Sequence, residues 1–452
     1  MSRKTMKSKK GICIVLLMSM LVVVFYTSTA ISQKKRFEGV TLNWAMYPCA
    51  DLEAAKKLIL EFEKKFGAKV NIIETPHIKM YEKQMLSATA GSSDLDIYAY
   101  TSCWAPPFVG AGYVVPLEQF LNETRGDPGI QDIIPSMLDH CTYNGKLYGF
   151  PVYGDVFVLA YRKDLFEEAG IEPPKTYEEY IRVCKRMEKD RDGDGRVDFW
   201  GAIKPRYRDD SIVNDWQNFL GMYEWDVIRG QKGGDLPPMK DDPSKYFHPV
   251  FNQGRGIEAT QFMVDLYKKY KIYPPGVLNM SYFAAFECFG KGDTAMYIVY
   301  GDQCPDLVTT EVKDEIEFAL VPTRKGVRRC HGGGWMISVS AFSRHKFAAY
   351  KLLEWIYGEK NARKLAFYGA TPTRYSSLRN PELQEKFRWY PQMLAMMPYR
   401  KQVPSFPEWH ECTTILAGYL QEVHLGTHSV KQGLDIAARK IDKVLKRAGY
   451  YK

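Results

Sequence analysis

The chain has no GxSxG elbow, no HExxH and no CxxC or Cys/His pairing at metal-ligand spacing. Their absence removes the α/β serine hydrolases, the zinc peptidases and the small zinc-held domains. There is no dense basic patch either. Lysine and arginine are scattered, so a nucleic-acid footprint is missing; only Lys440, Lys443, Lys446 and Arg447 share one helix face, which a solvated helix end explains. Long apolar runs are also missing: the one from Gly11 to Tyr26 is 16 residues, shorter than the roughly 20 that span a bilayer.

That run sits in a signal-peptide setting. Arg3, Lys4, Lys7, Lys9 and Lys10 precede it, and Ser28, Thr29 and Ala30 follow it, the order of a secretory signal cleaved after Ala30. An uncleaved segment that anchors the chain to a membrane is the second reading. No cysteine lies within reach of a lipoprotein cleavage site, since Cys13 is inside the run and Cys49 far beyond it. Residues 1–30 carry five basic groups and no acid, so their removal lowers the formal charge from +9 to +4. Eight of nine cysteines then remain, in a compartment that permits disulfides. Cys49 and Cys103 each follow a predicted strand of one sheet and are the expected pair; buried thiols are the alternative.

At 452 residues the chain is too long for one compact core and suits two lobes. Aromatic content is high at 14%, with 30 Tyr and 9 Trp, and such residues line wet clefts as well as cores. Predicted strands at 41–46, 69–73 and 96–100 alternate with helices at 51–66 and around 81–86, which implies βαβ units and a parallel sheet. Ligands sit beyond the carboxyl ends of such strands, where this chain carries Trp44, Tyr47, Tyr100 and Trp104. The stretch Gly149 to Phe166 reads as a strand crossing between lobes, with Tyr153 and Asp155 facing the gap; a core strand with Asp155 in the preceding turn is the plainer reading.

Farther along, Thr176 and Glu179 form a capping box that opens a helix to about Met187. Asp190, Asp192, Asp194 and Asp198 match the first two thirds of an EF-hand-type loop, but Gly201 stands where a bidentate Glu belongs. A structural calcium ion and a plain acidic turn are both open. Gly230 to Phe247 reads as an exposed loop, and Gly254, Gly256 and Ala259 as a helix entry. Pro322 is placed to begin a second crossing. Gly332, Gly333 and Gly334 let the backbone approach closely before Trp335, and TPTR (Thr371 to Arg374) is the third passage. His424 and His428 are surface histidines by default.

The signal, Asn144–Tyr180 (NGKLYGFPVYGDVFVLAYRKDLFEEAGIEPPKTYEEY), Phe289–Asp302 (FGKGDTAMYIVYGD), Gly332–Ile356 and Gly369–Leu378 (GATPTRYSSL), taken in order, resemble the extracellular solute-binding proteins, family 1. These are the sugar-binding components of ABC importers, similar in plan to maltose-binding protein. The resemblance implies an α/β, two-lobed periplasmic-binding-protein fold of type II with three interlobe crossings. It implies an N-terminal lobe of 38–152 plus 324–369 and a C-terminal lobe of 153–323 plus 370–452. Positions matching the ligand-facing motifs are Trp44, Tyr47, Trp104, Tyr153, Asp155, Asp302, Trp335, Arg374 and Trp409, with Trp216 as a further candidate. Such rings stack on the C–H faces of a pyranose, while Asp and Arg hydrogen-bond its hydroxyls. The implied function is a secreted, periplasmic or cell-surface monomer without cofactor, the calcium loop aside. It closes by hinge motion on a carbohydrate, an oligosaccharide by expectation, and hands it to membrane permease subunits. A secreted carbohydrate-active enzyme would need two carboxylates about 5 to 10 Å apart across the cleft. Asp155 and Asp302 are the acids in view for it; a carrier of a peptide, polyamine or metal complex is the third reading.

Overall fold

The computed structural model describes residues 35–124, 128–154, 156–229, 247–401 and 403–451. The signal expected over 1–30 and nearly all of the loop expected over 230–247 lie outside the described residues.

The chain opens with β1 (Thr41–Met46), α1 (Ala50–Phe66), β2 (Lys69–Glu74), α2 (His77–Thr89) and β3 (Ile97–Thr101). In α1, Leu52, Ala55, Leu58, Ile59 and Phe62 recur at steps of three and four and are buried together. The helix stops at Gly67, which adopts φ 83° and donates its N–H to the Glu63 carbonyl. β1 pairs in parallel with β2 and β3, so α1 and α2 are crossover helices. Next come β4 (Phe150–Gly154) and β5 (Phe157–Arg162). The run expected as one crossing strand is therefore two strands in two sheets; Asp155, between them, lies outside the described residues. α3 (Tyr177–Met187) begins with the expected box, Thr176 and Glu179 each capping the other's backbone N–H. α4 (Asp210–Met222), β6 (Met296–Tyr300) and β7 (Ile316–Ala319) follow. β8 (Gly334–Val339) and α5 (Lys346–Tyr357) return to the first sheet, and α6 (Trp409–Leu425) and α7 (Val430–Arg447) close the chain.

The first sheet runs β2-β1-β3-β8-β4 and the second β6-β5-β7. β8 is antiparallel to both its neighbours, with Trp335 opposite Thr101 on one side and Tyr153 on the other. A strand running against its neighbours starts where they end. Trp335 therefore joins the segments leaving β1, β3 and β4 at one edge. In the second sheet Phe157 begins β5 opposite Tyr300, the last residue of β6. One apolar core packs on the first sheet, from Phe37 to Tyr153 and from Trp335 to Ala370. The other packs on the second, from Val156 to Cys330 and from Leu378 to Tyr451, and takes in Ile133, Ile134 and Met137.

The return passage lies later than Pro322. Thr323 still bridges Thr176 of the second lobe, and 324–327 form a tight turn with Lys325 at φ 50° and Gly326 at φ 77°. Cys330 and His331 pair with Arg400 and Lys401, so Gly332 and Gly333 carry the chain across. A Cβ on Gly334 would stand 2.8 Å from the Tyr153 carbonyl and one on Gly332 2.7 Å from the Lys401 carbonyl, so neither position admits a side chain without a shift. The third passage is tied on both sides: the Thr371 N–H reaches the Asp51 carboxylate at 2.8 Å, and the Tyr390 hydroxyl reaches the Ala370 carbonyl at 3.0 Å.

Candidate functional site

The edge where β1, β3 and β4 end and β8 begins gathers an aromatic wall. Trp335 lies 4.8 Å from Tyr47, 5.8 Å from Trp104 and 6.4 Å from Tyr153, centroid to centroid. The Tyr47 and Tyr153 hydroxyls share a hydrogen bond. α2 extends the wall: His77 is 5.2 Å from Tyr47 and 5.5 Å from Trp335, and Tyr81 is 5.0 Å from Trp104. Burial pushes the Tyr47 phenol well up, with Cys49 and Asp302 adding to the shift, so it remains a neutral hydrogen-bond donor.

The second lobe faces this wall with acids and hydroxyls. Asp209 caps α4, accepting the Ser211 N–H at 2.9 Å, and Asp210 follows with solvent access. Desolvation and the charge of Asp210 push the half-buried Asp209 carboxyl up to about 6. One turn on, Asn214 donates to the Tyr282 hydroxyl at 3.2 Å, which lies 3.1 Å from the Tyr300 hydroxyl. Tyr300 stacks on Phe157 at 4.1 Å, and the Lys204 ammonium sits 3.8 Å from the centre of the Phe157 ring. Lys204 is buried and donates to the Ile298 carbonyl at 2.8 Å; burial draws its pKa down to about 8 against the pull of Asp215. Asp302 occupies the short turn after β6.

The two walls interact across the gap. Burial lowers the His77 pKa while Asp209 opposes it, and Asp302 acts on Tyr47. Ser405 donates to the Ser102 carbonyl at 3.1 Å, and the His410 ring stacks on Tyr81 at 4.7 Å. The lobes are thus in contact along the cleft.

Several sequence candidates lie elsewhere. Trp44 is wholly buried in the first core, on a strand flanked by Ile72 and Ile97. Trp216 is wholly buried in the second core, its indole N–H donating to Thr260 Oγ1 at 2.7 Å and its ring edge-on to Phe251 at 5.4 Å. Trp409 packs inward on Phe406 at 5.7 Å. Arg374 is buried and spends its guanidinium on the carbonyls of Gly129, Pro128 (2.9 Å) and Tyr357 (3.0 Å), where it ties the third passage. Among the described residues no disulfide joins the eight cysteines. The expected Cys49–Cys103 bond is not formed, because Cys49 turns into α1 while the Cys103 thiol points to Thr101, 3.7 Å away. Asp155 lies outside the described residues.

The acidic turn is exposed, with oxygens of Asp190, Asp192 and Asp194 within 4.8 Å of one another. Asp190 accepts the N–H groups of Gly193 (2.7 Å) and Gly195 (2.8 Å), Asp192 that of Asp194 (3.1 Å), and Asp198 that of Arg191 (2.9 Å). These bonds close the turn on its own backbone. At the twelfth position a Cβ on Gly201 would meet the Cys184 carbonyl at 2.2 Å, so no bidentate Glu fits there.

Sequence reasoning missed His77, Tyr81, Asp209, Asp210, Asn214, Tyr282, Tyr300 and His410. Two of them left a signal. Asp209 stands just before an apolar-periodic segment, where an N-cap belongs. In α6 the spacing Trp409, Cys412, Leu416, Leu420 turns Trp409 inward and His410 about 100° away from it. The tyrosines left none, since nothing local separates a cleft phenol from a core one.

A family model for the bacterial extracellular solute-binding proteins matches residues 57–388. Over 450 residues the chain is 23% identical to a probable amino-acid ABC transporter periplasmic-binding protein of Sinorhizobium fredii, covering 96% of each. It is 25% identical over 357 residues to the mannitol-binding protein of Pseudomonas aeruginosa, covering 72% of this chain and 76% of that one. Among solved structures, the ABC transporter solute-binding protein of Agrobacterium radiobacter in complex with ribitol superposes with a TM-score of 0.78 at 23% identity, over 91% of this chain and 100% of that one. This likeness, with the two sheets and three passages, makes the fold the α/β, two-lobed periplasmic-binding-protein fold of type II. Among the described residues no helix is long and apolar enough to cross a membrane. By the match over most of its length, the chain belongs to the bacterial extracellular solute-binding protein family.

Proposed function

We propose that this protein is the extracytoplasmic receptor of an ABC importer, which binds a carbohydrate or polyol between its lobes and delivers it to a membrane permease on opening. The observation that carries the reading is an aromatic wall facing a wall of carboxylates and hydroxyls. On one lobe the ligand contacts are Tyr47, Trp104, Tyr153 and Trp335. On the other they are Asp209, Asp210, Asn214, Tyr282, Tyr300 and Asp302. Flat rings cover C–H faces, and carboxylates accept from hydroxyls in bonds each worth about 1.5–3 kcal/mol. A solute touched by both walls stabilises the closed form, because only that form offers both sets of contacts. The mannitol in one relative's name and the ribitol in a similar structure support the chemical class.

The protein works as a monomer outside the cytoplasm, with the lobes of the family resemblance but the second boundary at Gly332–Gly333. Glycoside hydrolysis needs carboxylates on both sides of the scissile bond. Among the described residues Asp209, Asp210 and Asp302 all belong to one lobe, which favours a carrier over an enzyme. A thermal-shift screen of polyols, monosaccharides and oligosaccharides tests the reading, followed by chromatography of the incubated solutes. A saturable rise in Tm with the solute recovered intact is expected. A melting curve indifferent to every solute, or a solute that is cleaved, refutes it.

A further inference from the structure

One end of the cleft is filled by a side chain of the opposite lobe. His410 stands in the first turn of α6, next to the inward-turned Trp409. Its ring lies over Tyr81 at 4.7 Å with the planes 28° apart, and edge-on to Trp104 at 6.3 Å. Both partners belong to the aromatic wall of the first lobe. The chain just before His410 is pinned to the same place by the Ser405–Ser102 hydrogen bond at 3.1 Å. A sugar ring extending the ligand past Trp104 would need the face of Tyr81. At stacking distance that face already carries a ring, and the space is filled. Trp104, with Tyr81, Trp335 and His410 around it, is left 9% exposed. The outer side of His410 meets solvent, so the imidazole is the last layer at this end.

We infer that His410 is a plug that ends the ligand site at Trp104 and Tyr81, and that by barring extension past this end it favours a polyol or a single sugar ring over a chain. The inference rests on the carbohydrate reading above and adds the size of the solute to it. Desolvation lowers the His410 pKa while Glu82 opposes the shift, so at neutral pH the ring is an uncharged disc suited to stacking. The device discriminates by exclusion: it adds nothing to a short ligand and denies room to a longer one.

Calorimetric titration tests this with mannitol, ribitol, glucose and galactose as short ligands and maltotriose and raffinose as chains. The unaltered protein is expected to bind at least one short ligand roughly tenfold more tightly than either trisaccharide. His410→Gly is expected to shrink that ratio by roughly tenfold or more, and His410→Phe, which keeps a flat ring there, to preserve it. A trisaccharide bound as tightly as the best short ligand overturns the plug, and so does a ratio that His410→Gly leaves unchanged. Silence toward all six solutes overturns the carbohydrate reading and the plug together, which separates the two failures.

Discussion

Trp216 and Asp210 lie on the same helix, and their replacements are expected to fail in opposite ways. Trp216 is wholly buried among the apolar residues of the second core. Truncating such a residue to alanine costs about 3–5 kcal/mol, from lost transfer energy plus the cavity left behind. The lost indole bond adds little, because Thr260 Oγ1 still donates to the Gly256 carbonyl at 2.8 Å. Trp216→Phe keeps most of the ring and loses chiefly that bond, about 1 kcal/mol. For lobes of this size about 1 kcal/mol shifts Tm by about 2–4 °C, so the alanine variant melts on the order of 10 °C lower. Asp210, by contrast, is exposed at the cleft. Asp210→Ala gives up a favourable first-turn charge but also relieves the repulsion that raises the Asp209 pKa, so stability is expected to stay within about 1 kcal/mol of the unaltered protein. It also removes a charged acceptor worth about 1.5–3 kcal/mol of binding, which weakens the Kd roughly 10- to 100-fold. Urea titration followed by circular dichroism reads the first effect and calorimetric titration the second. A Trp216→Ala protein that loses binding at an unchanged midpoint would put the indole in the cleft and refute the core assignment. An Asp210→Ala protein with unaltered affinity would remove the acidic pair from the site.

Arg374→Ala removes three guanidinium bonds, but the Pro128 carbonyl still accepts the Glu359 N–H at 3.0 Å and the Gly129 carbonyl the Asp132 N–H at 3.3 Å, so chiefly the Tyr357 carbonyl is orphaned; a loss of about 1–3 kcal/mol is expected in denaturant titration, and an unchanged midpoint contradicts the clamp. Burial pushes the Asp51 carboxyl up to about 8 although Thr371 donates to it, against about 3.9 in an unfolded chain. The folded protein then holds a proton that the unfolded chain releases, so this group's contribution is complete below about pH 4 and is lost as pH rises through about 8. Asp51→Asn keeps an oxygen for the Thr371 N–H and is expected to flatten the fall in Tm between about pH 5 and about pH 8; an equal slope in both proteins counts against the shift. Thiol titration of the cleaved chain, unfolded without reductant, is expected to find all eight cysteines reactive, whereas Cys141, Cys184, Cys304, Cys330 and Cys412 resist the reagent in the native protein. Six thiols or fewer would mean that a disulfide forms.

The architecture was legible where the signal is local and periodic. The alternation of strands and helices up to Thr101, the apolar face of α1 and the Thr176–Glu179 box each depend on residues within a few positions of one another. Pro322 looks like an exit, yet the chain doubles back at 324–327 and crosses about ten residues later, because Thr323 pairs with Thr176, and Cys330 and His331 with Arg400 and Lys401, contacts distant in sequence. The cleft was harder to read. Tyr47, Trp104 and Trp335 follow or begin strands, and strand order alone sends them to one edge. Trp216 misled because its type suits a sugar site, although Ile212, Phe219 and Leu220 share its helical face and mark that face as core. His410, Asp209 and Tyr282 meet the wall only through the docking of one lobe on the other, a contact no window of sequence contains.

Whether the two lobes shut on a small solute is read by small-angle X-ray scattering with and without the solute found by thermal shift. Saturation is expected to reduce the radius of gyration and bring the solution curve into agreement with the closed arrangement, in which His410 meets Tyr81. Superimposable curves for the empty and saturated protein, with binding independently confirmed, would contradict it.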